Sequence, residues 1–113
     1  MESRNEVLLV GRVAATAQER VLPSGDVFCS WRLVVDRPAP KRPAPEGVRP
    51  VTIDTLDCVA WQAGLRRTAA GLQPGDIVSV EGALRRRFWR DAAGAASRYE
   101  VEVSKVRRLE RAT

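Results

Sequence analysis

Histidine is absent from the 113 residues, and cysteine occurs only as Cys29 and Cys58. These two shortages exclude the usual zinc sites and any Ser-His-Asp or Cys-His nucleophile pair. No arrangement of acids or other nucleophiles replaces them, so the chain is not expected to be an enzyme or to need a metal or cofactor. Apolar runs are short as well: none reaches the ~18 residues of a spanning helix. The N-terminus, with Glu2 and Glu6 around Arg4, lacks the charged-then-apolar layout of a signal peptide. A cytoplasmic protein without a membrane partner is therefore expected, with both cysteines as buried, reduced thiols.

What is present suits one globular domain over residues 1–113, with 44% hydrophobic and 29% charged side chains. A chain of this length buries ~65% of the surface its unfolded form exposes, so it needs no disulfide or metal to fold. The net charge of +5 is unevenly placed. Residues 1–36 and 51–84 are slightly acidic, whereas residues 37–50 carry Arg37, Lys41, Arg42 and Arg49 against Glu46, and residues 85–113 carry nine basic against four acidic side chains. Two basic segments thus decorate a near-neutral body, a layout that attracts a polyanion or simply gives a solvated basic surface. Position has to decide between the two.

Short apolar runs between turn signals read as strands. They cover Asn5 to Val13, Glu19 to Leu22, Val27 to Val35, Val51 to Trp61, Ile77 to Leu84 and Arg98 to Val106, with hairpin punctuation at Pro23-Ser24-Gly25-Asp26 and Asp91-Ala92-Ala93-Gly94. Residues 37–50 hold five of the seven prolines and are expected to form a long, extended, basic loop. Leu65, Ala69 and Leu72 share one helical stripe that Pro74-Gly75-Asp76 ends, which predicts one short helix. The element order is that of an all-β, five-stranded OB-fold barrel, with the helix between the third and fourth strands and a long basic hairpin between the fourth and fifth. Such barrels mainly bind oligonucleotides and oligosaccharides.

Strand alternation locates the candidate site. If Arg85 to Trp89 is extended, Arg85, Arg87 and Trp89 share a face, while Arg86 and Phe88 point the other way. Guanidinium groups follow phosphates and an indole stacks on an unpaired base, which is what sequence-tolerant binding of single strands needs. A Trp89 packed against the barrel is the alternative. Trp61 lies outward at the end of the third long strand, where a groove would run, or covers the helix as a rim residue. Trp31 alternates with Cys29, Leu33 and Val35 and is expected in the core, which turns Arg32 outward as a weak phosphate contact. Arg12 and Arg37 complete the candidate DNA contacts.

The chain resembles the bacterial single-stranded DNA-binding protein family over nearly its whole length. The matching stretches are Asn5-Glu6-Val7-Leu8-Leu9-Val10-Gly11-Arg12, Pro23-Ser24-Gly25, Trp31-Arg32-Leu33-Val34-Val35, Asp57-Cys58-Val59-Ala60-Trp61, Pro74-Gly75-Asp76, Val80-Glu81-Gly82 through Leu84, Arg87 to Trp89, and Glu100-Val101. The resemblance implies an OB fold, usually a homotetramer, that coats single-stranded DNA in replication, recombination and repair, here at the nucleoid. It also implies stacking at Trp61 and Trp89, basic positions at Arg85 and Arg87, and an often basic position at Arg20. Thr55 departs from it, standing where relatives commonly present an aromatic ring, and residues 37–50 lack the tryptophan some members have there. The basic stretch Arg107 to Thr113 stands in place of an acidic tip, so recruitment of repair proteins through such a tail is not expected. These departures keep two other functions open: a protein-interaction accessory subunit with little nucleic-acid affinity, and a binder of single-stranded RNA.

Overall fold

In the computed structural model, which describes residues 1–113, six strands and one helix follow in the order β1 (Val7–Val13), β2 (Gln18–Val21), β3 (Val27–Asp36), β4 (Ile53–Ala60), α1 (Ala63–Ala70), β5 (Ile77–Asp91) and β6 (Gly94–Glu110). The sheet order is β1-β5-β6-β4-β3-β2, and β1 also pairs with β3 at Arg12 and Val13, which closes the sheet into a barrel. Neighbours are antiparallel except β4 and β6, which meet in parallel at Cys58–Val101 and Val59–Glu102. The expected all-β barrel is therefore present, with six strands in place of the five counted, because the run read from Glu19 to Leu22 stands apart from the first strand. The exposed segment Gln18–Val21 pairs with β3 as a strand of its own, separated from β1 by a break at residues 14–17. The hairpin expected between the fourth and fifth strands is β5–β6. No helix is long and apolar enough to cross a membrane.

Alternation builds the core. Cys29, Trp31 and Leu33 of β3 turn inward with Cys58 and Ala60 of β4, Val78 and Val80 of β5, and Val101 and Val103 of β6. Ala69 and Leu72, at the end of the helical stripe, join the same cluster. Each fully buried Leu or Val contributes roughly 1.5–3 kcal/mol relative to exposure. Both cysteines are free and buried, and burial pushes the Cys58 thiol up to about 12.

Two details position the hairpin where it leaves the barrel. At the Glu81/Gly82 bulge, a Cβ on Gly82 would overlap the carbonyl of Glu102, so only glycine lets β5 and β6 approach where they leave the barrel. Just beyond, the side chain of Asn5 imitates a strand: its Nδ2 donates to the Leu84 carbonyl (2.7 Å) and its Oδ1 accepts the Leu84 amide (2.9 Å). From Arg85 to Glu100 the hairpin continues as a two-stranded ribbon with no further neighbour strand.

At the other end of β5, the buried Asp76 accepts hydrogen bonds from the Gln73 amide (2.8 Å), the Ala112 amide (2.7 Å) and Arg108 Nε (3.0 Å). These donors, the Gln73 amide foremost, hold its carboxyl below the usual carboxylate range and fasten residues 108–112 to the turn before β5. Residues 37–52 contain neither helix nor strand, as the prolines require.

Candidate nucleic-acid interface

The parity that sends Trp31 inward sends Phe28, Ser30 and Arg32 of β3 outward, and on β4 it sends Asp57 and Val59 outward beside them. This outer face is the floor of a groove of about 710 Å³. Residues 14–16 and the β2 residues Gln18 and Arg20 form one wall, and the ribbon supplies the other with Arg87, Trp89 and Arg98. Arg87 and Arg98 are directly opposed in the β5–β6 ladder, which fixes their spacing.

Aromatic rings and guanidinium groups are paired within this groove. Arg87 lies 5.2 Å from the centre of the Phe28 ring, and Arg98 lies 6.0 Å from that of Trp89. Each such contact is worth ~0.5–1 kcal/mol at an exposed site. Trp61 does not line the groove but packs on Phe28 at 4.9 Å with the rings tilted by 37°. It supports the floor from beside it. Trp89 remains 40% exposed, so its indole is available to a flat ligand.

Charge is unevenly available among the arginines. Arg32 pairs with Asp57 (3.4 Å), Arg85 with Glu102 (3.0 Å), Arg37 with Asp54 (2.7 Å) and Arg12 with Asp36 (3.3 Å). Arg98 shares the buried Glu100 at 3.9 Å. Arg20 and Arg87 have no acid within 4 Å; Arg20 donates only to the neutral Oε1 of Gln18. The groove therefore holds two cations whose charge no carboxylate balances.

Of the residues singled out from the sequence, the structure brings Arg20, Arg32, Arg87 and Trp89 together on the groove, with Trp61 adjoining through Phe28. It does not bring in three others. Arg85 lies lower on the ribbon, in a hollow with Asn5 and Glu102; Arg37 sits at the neck of the proline-rich loop; Arg12 pairs with Asp36 at the end of β3. Phe28 and Arg98 are additions, and both had a signal. Phe28 has the outward parity of Arg32, and counting back from the Asp91–Gly94 turn pairs Arg98 with Arg87.

Comparison with known proteins bears on the family and the fold. A family model described as the single-strand binding protein family matches residues 4–109. A single-stranded DNA-binding protein of Thermotoga maritima is 30% identical over 90 residues, covering 80% of this chain and 62% of its own. Single-stranded DNA-binding protein 1 of Synechocystis is 26% identical over 79% of this chain and 68% of its own, and the Treponema pallidum single-stranded DNA-binding protein 27% identical over 96% and 60%. The chain thus spans about three-fifths to two-thirds of the length of these relatives. Among solved structures, a Plasmodium falciparum SSB in complex with ssDNA has the same fold, with a TM-score of 0.76 at 19% identity, covering 97% of this chain and 98% of that one.

Proposed function

The chain belongs to the single-strand binding protein family, and from that premise we propose that it binds single-stranded DNA without catalysing a reaction, in replication, recombination or repair. The observation that carries this reading is the convergence of Arg87, Trp89 and Arg98 from the ribbon with Arg20 and Arg32 over a floor containing Phe28. An unpaired base stacks on the open side of Trp89, worth roughly 1–3 kcal/mol. Arg20 and Arg87, free of acids, take the phosphates. Duplex DNA has no exposed base face to offer the indole, so the groove favours single strands.

Titration with a thymine oligonucleotide at low salt tests this directly. Tryptophan emission is expected to fall, and the affinity to drop with salt at a log–log slope of about −0.7 per phosphate neutralised. Absence of quenching at low salt rejects the reading. A matched RNA strand titrated in parallel reports whether the groove tells the sugars apart.

The chain is further inferred to assemble with copies of itself, with the tetramer as the expected form. Support comes from β1: its ladder with β3 covers only Arg12 and Val13, with Gly11 already against Val34, which leaves one edge open from Val7 to Val10. On its outer face Leu8 and Val10 are 69% and 53% exposed. An open, apolar edge strand is a template for another chain. Light scattering at micromolar concentration distinguishes monomer, dimer and tetramer.

A further inference from the structure

The ribbon has a second face. Arg86 and Phe88 of β5 and Ser97 and Tyr99 of β6 have the parity opposite to Arg87, Trp89 and Arg98, and so lie on the side turned away from the groove. Phe88 is 69% and Tyr99 59% exposed. Between them lies Arg86, whose guanidinium is 4.9 Å from the Phe88 ring centre and 5.6 Å from that of Tyr99. Its Nε and Nη2 donate to Ser97 Oγ at 3.3 and 3.1 Å, which holds it across the ribbon. No carboxylate lies within 4 Å of it. This back face therefore repeats the chemistry of the front: exposed aromatic rings around an unbalanced cation in a fixed position.

We propose that this back face is a second stacking site for the same single strand, so that the ribbon is bound on both sides and the footprint extends beyond the groove. The inference rests on the proposed binding of single strands in the groove. Residues 85–100 carry five arginines against Asp91 and Glu100, and Glu100 is buried with the parity of the groove face. A second copy of the chain seated here would have to desolvate Arg86 without an acid from this face to pair with it, which is unfavourable. A polyanion with flat bases supplies both things the face lacks, negative charge and ring partners. Phe88 and Trp89 are successive residues of β5 on opposite faces of a ribbon only two strands wide, so one nucleotide chain passing round its edge meets both.

The test uses the full chain carrying Phe88→Ala and Tyr99→Ala together, titrated with thymine oligonucleotides of about 6 and about 16 nucleotides, within the range that one barrel of this type covers. Binding of the short strand, followed by tryptophan quenching, is expected to match the unaltered protein. Affinity for the long strand is expected to fall by at least about tenfold. Arg86→Ala, which keeps both rings, is expected to reduce the salt slope for the long strand by about 0.7 and leave that for the short strand unchanged. Equal affinity of the double variant and the unaltered protein for the long strand overturns the proposal. So does a smaller assembly in light scattering of the double variant, which would make this face a contact between copies. Failure of the unaltered protein to bind either strand defeats instead the reading of the groove.

Discussion

Residues 37–50 and residues 85–100 are both rich in arginine, yet one is a loop without a ladder and the other a ribbon in which every rung from Arg85–Glu100 to Asp91–Gly94 is paired. Five prolines remove amide donors from the first segment, and its one strongly held arginine, Arg37, is fastened to Asp54 at the neck. It contains no aromatic ring. In the second segment, register sets Arg87 against Arg98 and lays each against a ring. The difference is one of preorganisation. A loop arginine has to be ordered when it binds, at roughly 0.5–1.5 kcal/mol for each immobilised side chain, whereas the ribbon arginines are already in place. Charge draws the polyanion to both segments; the fixed pairing of cation and ring can hold a base only on the ribbon.

Breaking the ribbon's part of this contrast should have the largest effect. Trp89→Ala is expected to lower affinity for a thymine oligonucleotide by about tenfold to a hundredfold or more, the value of one stacked base. A loss under twofold would mean that the indole is not a base platform. Next comes Arg87→Ala, which removes one unbalanced cation and uncovers Phe28. Affinity at low salt should fall by several fold, and the slope against log salt should shrink by about 0.7. An unchanged slope would place the phosphates elsewhere in the groove.

The strands, the helix, the hairpin turns and the inward parity of Trp31 were all legible from alternation and turn residues, because a period of two against a buried core leaves little freedom. The strand at Gln18–Val21 was legible as the run Glu19 to Leu22 from the hairpin turn that follows it, but a count of five strands did not set it apart, because all four of its residues are exposed and no apolar face marks where it begins. In the site, Trp89 and Arg87 followed from parity alone. Arg85 has the same parity but meets Glu102 diagonally across the ribbon, next to its ladder partner Glu100, and parity names the face without saying which acid claims the cation. Phe28 shows the opposite failure. Its outward parity was readable, but its burial comes from Trp61 and Arg87, two long side chains from distant segments whose meeting no local pattern encodes.

The proline-rich loop should yield the smallest effects, and they sharpen the contrast from its weaker side. Replacing Lys41, Arg42 and Arg49 together by alanine removes three charges, which would lower the salt slope by about 2 if each met a phosphate. A total change below about 0.7, less than Arg87→Ala alone, is expected from a segment with no ladder to fix its side chains. Arg37→Ala should change affinity less than twofold, because its guanidinium is already committed to Asp54. Its effect should be visible in titration instead. The hydrogen bonds from Arg37, and then its charge, hold the Asp54 carboxyl below the ordinary value near ~3.9. With the folded value lowered, the neck contact contributes fully above about pH 4 and is lost as pH falls through the lowered value. The carboxyl carbon of Asp54, followed by NMR, should titrate below ~3.9 in the unaltered chain and return toward it in Arg37→Ala. A midpoint that stays put would show that Arg37 does not hold Asp54, and an affinity loss as large as that of Arg87→Ala would show the loop to be a working wall of the site and not its solvated neighbour.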